Sequence, residues 1–185
     1  YWDNKSVSDP KGWLDDKAGI AAYLNIEKEF GKVFSLNFET GYLQKGFRQN
    51  NVKINTVNGI ETHNTEVTIH YSSSSLYCKI KPFKGKVSPY LYMGLHGDYL
   101  IDYKDFEIES QKITYGLYAY ALEDFINYVL SGLVGIGIEY NELIYLDIEY
   151  APALTNSFDG PSLTIKDRYL GILIGLNINS FYKNK

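Results

Sequence analysis

His70 and Ser72 are the first residues in the sequence whose types and spacing could do chemistry. Residues two apart on a strand share a face, so His70-Tyr71-Ser72 would set an imidazole beside a hydroxyl, the pair that makes a base and a nucleophile. A complete triad also needs an acid to orient the histidine, and none lies between Ser72 and Gly97. Ser72 to Ser75 reads more simply as a polar run near a strand end. Glu39, Glu139, Asp147 and Glu149 share one face by strand parity, and paired carboxylates are the acid and base of glycoside hydrolysis. Lys79 and Lys81 share that face as well, so the expected arrangement is an interior network of opposite charges that fills space. Cys78 alternates with Leu76 and Ile80 and reads as a small apolar side chain. Asp159-Gly160 and Asp167 lack the spacing of a calcium loop, and no Cys/His cluster has zinc-ligand spacing. The expectation is a chain with no catalytic residues, no metal and no cofactor.

The composition narrows the class. A length of 185 residues suits a single domain, read here as 1–185. Lys+Arg 18 against Asp+Glu 22 gives a net charge of −4, so there is no basic excess to neutralise nucleic-acid phosphates. Aromatic residues at 16% are too many for a solvated, disordered chain. One cysteine excludes an intrachain disulfide framework. The 18 Tyr and 16 Gly beside 5 Pro lean towards strands with wet edges. The best apolar run, Leu130 to Ile138, is broken by Ser131, Gly132, Gly135 and Gly137 and falls short of the ~20 residues of a spanning helix. Tyr1-Trp2-Asp3-Asn4 has no basic or apolar leader pattern, so for an exported chain the expectation is a signal already removed.

The elements that would position these groups follow from period-two alternation. Ala18, Ile20, Ala22, Leu24 and Ile26 alternate with small or polar residues, and Gly31-Lys32 turns the chain into Phe34, Leu36, Phe38, Thr40 and Tyr42. The pattern recurs at Leu76–Ile80, Pro89–Leu95, Leu130–Tyr140, Ile144–Tyr150 and Leu170–Ile178. Seven strands are clear. Very short turns at 31–32, 84–88 and 141–142 alternate with long polar segments at 48–70, 103–127 and 151–167, the layout of an outer-membrane barrel. Asn58-Gly59 suits a hairpin turn, so strands two and three are expected to run on beyond the membrane. The second face mixes glycine and alanine with charges of both signs, which suits a narrow barrel interior, while Tyr and Phe bracket the apolar face. Tyr23, Tyr90, Tyr92 and Tyr145 point to that interior. The fold class expected is all-β: an antiparallel up-and-down transmembrane β-barrel.

Several segments carry a family resemblance. Phe34-Ser35-Leu36-Asn37-Phe38-Glu39-Thr40-Gly41-Tyr42-Leu43-Gln44-Lys45-Gly46-Phe47, Ser88-Pro89-Tyr90-Leu91-Tyr92-Met93-Gly94, Val134 to Tyr140 and Asp147-Ile148-Glu149-Tyr150 resemble the small PorT-like, OmpA-type outer-membrane barrels of Bacteroidetes. The resemblance runs from about Gly19 to Ile178. It implies eight strands, a place in the bacterial outer membrane and no common enzymatic activity. Seven strands are one too few for this family, so a first strand upstream of Tyr1 is expected; Ile113, Tyr115, Leu117 and Ala119 are the weaker source of a hidden one. The His70/Ser72 pair is similar to the His-x-Ser dyad of outer-membrane lipid A deacylases.

The segment 113–128 is too apolar for a free loop. Tyr115, Tyr118, Tyr120, Phe125 and Tyr128 either cap the barrel mouth or form a docking surface for a partner. The functional expectation is a non-enzymatic integral outer-membrane barrel that acts as a structural or assembly partner in a secretion or envelope complex. Its partners would be outer-membrane lipid and other envelope proteins met through the long loops, with no nucleic acid. The alternatives are a lipid-modifying enzyme using His70 and Ser72, and a soluble lipocalin-like carrier of an apolar ligand.

Overall fold

The computed structural model describes residues 2–4, 14–56, 59–83, 85–104, 126–159 and 163–177. Among them every regular element is a strand: β1 (Trp2–Asn4), β2 (Leu14–Asp16), β3 (Ala21–Phe30), β4 (Phe34–Thr56), β5 (Gly59–Ile80), β6 (Val87–Lys104), β7 (Tyr128–Tyr140), β8 (Ile144–Pro152), β9 (Phe158–Asp159), β10 (Leu163–Ile165) and β11 (Arg168–Leu176). The main sheet runs β3-β4-β5-β6-β7-β8-β11, each pair antiparallel. β2 pairs with β4 on the same edge as β3, one register step out, so the two are a single edge strand interrupted near Lys17–Ile20. A side sheet, β1-β10-β9, forms around the last connection.

Sheet connectivity follows from the turns. Phe30 pairs with Phe34 and Tyr140 with Ile144. Gly31 takes φ 75°, and Asn141 and Glu142 take φ 52° and 56°. Positive φ at both central residues gives a turn whose twist matches the right-handed twist of strands, which is how the chain reverses here without splaying β7 from β8. The opposite end is less economical. β4, β5 and β6 have 23, 22 and 18 residues, where a tilted crossing takes roughly 9–11. The segment 48–70, expected as a long connection with strand extensions, is strand over 48–56 and 59–70. A bulge between His70 and Tyr71 against β6, and another between Gln49 and Val52, add twist to this long hairpin.

The sheet curls into a half-barrel. Curling brings Tyr169 of β11 within 5.3 Å of Lys45 on β4 and of the His96 ring on β6. The concave side holds the buried residues, and the convex side carries the large exposed hydrophobics. Among the described residues β3 and β11 are edges, each paired on one side only.

Candidate functional site

The convex face comes first, because its chemistry decides what the sheet stands in. Leu36, Phe38, Leu91, Leu95, Ile136 and Ile148 are all exposed on it. Following one hydrogen-bonded row, Ile172 pairs with Ile148, then Ile136, Leu91, Ile80, Phe34 and Phe30. On β11 this row crosses near the middle of the apolar set Leu170–Leu176. On the first edge strand it crosses at Phe30, beyond the set Ile20–Ile26. The apolar set therefore climbs about eight residues in six strand steps; at ~3.3 Å per residue and ~4.8 Å between strands the tilt is about 40°. That is the tilt of strands in membrane barrels. Soluble barrels tilt too, but only a lipid slab requires outward apolar side chains to stay level while the strands slant.

The concave face is built from tyrosines laid over glycines. Tyr23 pairs with Gly41, Tyr77 with Gly94, Tyr92 with Gly135, Tyr90 with Gly137 and Tyr145 with Gly175. A Cβ at Gly135 would stand 2.2 Å from Tyr92 Cζ, and one at Gly175 would stand 1.7 Å from Tyr145 Cζ. The bare glycine is a slot across which the ring lies flat on the sheet. Tyr90 reaches over Gly137 and donates to Asp147 on the next strand; Tyr92 does the same over Gly135 to Glu149, 3.1 Å away. Tyr169 donates to the other Glu149 oxygen at 2.6 Å. Tyr77, Tyr90 and Tyr92 are buried and pack with Leu133 and Ala151.

Charges lie above and below this aromatic layer. Towards the short turns, Lys81 Nζ is 2.9 Å from Glu139 and 3.5 Å from Glu27, and Lys79 Nζ is 3.4 Å from Glu27. The Lys79 ammonium also sits 4.7 Å from the centre of the Tyr90 ring. Towards the long hairpin, Asp98 accepts from Lys45 at 2.7 Å and from Ser73, and it bonds His96 Nε2 at 2.9 Å. His96 Nδ1 in turn meets Ser75 Oγ at 2.9 Å. Ser75, His96 and Asp98 thus follow the order of an acyl-transfer triad. All three are sealed, with His96 and Asp98 at 0% exposure and Ser75 at 2%. A nucleophile needs a substrate beside it, so this arrangement holds strands together.

The residues singled out in the sequence fall in three places. Glu39, Lys79, Glu139, Asp147 and Glu149 are buried on the concave face, with Lys81 partly buried beside them. Of the four carboxylates, Glu139 alone has a lysine within ion-pair range among the described residues; Asp147 and Glu149 are held by tyrosine hydroxyls, and Glu39 pairs in register with Asn25 and Ser75. His70 and Ser72 lie on the opposite, outward side. No hydrogen bond joins them, and His70 Nδ1 is engaged by the Tyr42 hydroxyl. The ladder sets Asp102 across from His70 and Tyr99 across from Ser72. Cys78 is exposed on the convex face. Tyr128 opens β7 and is exposed, whereas Tyr115, Tyr118, Tyr120 and Phe125 lie outside the described residues, as do Ile113, Leu117 and Ala119. The His96–Asp98 cluster and the Tyr–Gly pairing went unread in the sequence; the alternating inward Gly and Tyr were their signal.

Comparison with curated proteins and with solved structures returns no match for this chain. A family model described as outer membrane protein beta-barrel domain matches residues 4–159. Its match takes in the first six strands of the half-barrel, the level apolar band and the charged concave face; the chain belongs to the outer membrane protein beta-barrel domain family, a family of the outer membrane.

Proposed function

We propose that this protein is a non-enzymatic outer-membrane barrel that serves as an assembly partner, presenting its long-strand end to other envelope proteins. The observation that carries this reading is the β4/β5 hairpin. Its strands remain paired from Gln44 and His70 out to Thr56 and Gly59, past the apolar set that ends near Tyr42. At ~3.3 Å per residue that is roughly 40 Å of continuous strand beyond the band. A barrel that only filled the membrane would close this connection with a few polar residues. A paired arm is a preorganised surface, and preorganisation lowers the ordering cost of binding. Tyr128, the last residue of the segment 113–128 that the sequence marks as aromatic and apolar, pairs with Tyr99 on β6, next to this hairpin.

The experiment replaces residues 48–66 with Asn-Gly, which joins the paired residues Phe47 and Val67 through a two-residue turn. Copurification in mild detergent from the native envelope, with bound proteins identified by mass spectrometry, should lose the partners of the unaltered protein while the barrel still folds. An unchanged set of copurifying proteins would overturn the assembly reading.

A second reading, lipid modification by His70 and Ser72, draws support from their outward position and from Asp102 across from His70. Against it stand the Tyr42 contact on Nδ1 and the missing bond between the pair. Lipid A mass spectra from cells with and without the protein separate the readings: a deacylated species that disappears with His70→Ala would establish the enzyme.

A further inference from the structure

The apolar band is interrupted on β5. Its outward set stops after Ile80, Cys78 and Leu76, and the next outward residues are Ser74 and Ser72, both exposed. On the flanking strands the band runs on to Tyr42 and Tyr99, the two residues that pair with Ser72. Thr40 and Gly97 pair with Ser74 from either side. The outcome is a patch of small and hydroxylated residues. The row next to it, towards the short turns, is the exposed apolar set Phe38, Leu76 and Leu95.

This patch stands within the band and not at its edge. The climb of the apolar set puts mid-band near Thr40 on β4 and near Leu76 on β5. At ~3.3 Å per residue and a tilt of about 40°, Ser74 is roughly 4 Å and Ser72 roughly 9 Å from mid-band, in a band ~25 Å tall. Thr40 Oγ1 donates to the Ser73 carbonyl at 3.2 Å and lies 3.0 Å from Ser74 Oγ. The Ser72 hydroxyl meets no partner among the described residues. Tyr128 adds a second such hydroxyl. A Cβ at Gly97 would stand 2.5 Å from its oxygen, so the ring leans over Gly97, towards mid-band. Tyrosines at a membrane edge ordinarily keep the hydroxyl on the wet side. This one is turned into the band, again with no partner among the described residues. Hydrocarbon offers these groups nothing, and a hydroxyl left without a hydrogen bond in an apolar medium is costly.

We propose that the patch is where two copies of this chain meet within the membrane, around a twofold axis that runs along the membrane normal near Ser74. A hydroxyl is donor and acceptor at once, so it can pair with its own kind. Rotation about the normal keeps every residue at its own depth. Thr40, Ser72, Ser74 and Tyr128 therefore meet the hydroxyls of the second copy, while Phe38, Leu76 and Leu95 meet its apolar side chains. A different membrane protein would need a matching polar patch at the same depth, which a second copy has already. The small residues at 72, 74 and 97 let the sheets approach closely, as small residues do between membrane helices. The contact is separate from the β4/β5 arm and does not depend on what that arm binds.

The test is a single-cysteine scan of the full chain in its native membrane, with Cys78→Ala to remove the native thiol. A twofold axis brings each residue beside it face to face with itself. Ser74→Cys should thus give a disulfide-linked dimer on oxidation, while Ile136→Cys and Ile172→Cys, at similar depth on other strands, should not. Thr40→Val with Ser74→Val, read by single-molecule photobleaching in lipid vesicles, should lower dimerisation about tenfold. Heat-sensitive gel migration reports folding of each variant independently. Folded Ser74→Cys protein that stays monomeric overturns the proposal and leaves lipid on the patch. A Ser74→Cys crosslink to another protein overturns it in favour of a different partner. Equal dimer crosslinking at Ile136→Cys, or dimerisation unchanged by the two valines, overturns it as well.

Discussion

Tyr92 and Gly135 show how single residues set the interior. The ring needs the space a Cβ would take, at 2.2 Å from Tyr92 Cζ, so Gly135→Ala should destabilise the barrel by about 1–3 kcal/mol, the usual cost of overpacking. Shortening the ring's reach with Tyr92→Leu should remove most of that penalty, a coupling that a double-mutant cycle in urea titrations of folded, lipid-embedded protein would measure. Strictly additive effects would mean that the slot does not matter. Asp98 is the counterpart among the charges: Asp98→Ala leaves the Lys45 ammonium without its carboxylate in a buried site, and breaking such a pair costs about 3–5 kcal/mol. The same titrations check it. The parity of Tyr92 and Gly135 was plain in the sequence, yet their partnership was not. Pairing needs register, and between β6 and β7 the sequence has no tight turn to count from. Where a tight turn exists, as at Gly31, the Tyr23–Gly41 pair could have been counted directly.

At the scale of elements, the slant of the strands against a level band is the feature with most predictive content. Phe30 and Ile172 lie on one hydrogen-bonded row, so an untilted sheet would hold them at one depth. With a tilt of about 40° Ile172 falls near mid-membrane and Phe30 near its edge. Ile172→Arg and Ile136→Arg should each cost roughly 2–4 kcal/mol, and Phe30→Arg about 0–1 kcal/mol. Equal penalties at Phe30 and Ile172, in unfolding titrations from lipid vesicles, would contradict the tilt. All seven main strands were legible as alternating runs, because a strand between lipid and a packed interior must change chemistry at every residue. The reach of β4 and β5 was only partly legible: beyond the band both faces meet water, alternation has no cause there, and 48–70 reads as polar chain until pairing is seen.

For the whole molecule, the outward face is apolar and the concave face holds tyrosines, ion pairs and the His96–Asp98 cluster, so side chains fill the interior and leave little room for a channel. Reconstituted in planar bilayers, the protein should give no steady, large single-channel current; regular large steps would show that the interior opens. The central claim is that one face of this sheet stands in lipid, and spin labels along β7 test it most directly. Nitroxide side chains placed one at a time at Ser131, Leu133, Val134, Ile136 and Ile138, in reconstituted vesicles, report collisions with oxygen, which concentrates in hydrocarbon, and with a water-soluble nickel chelate. Positions 134, 136 and 138 should collide freely with oxygen and hardly with nickel, while 131 and 133, buried on the concave face, should be shielded from both. Nickel collisions at 134, 136 and 138 as frequent as in bulk water would contradict the account.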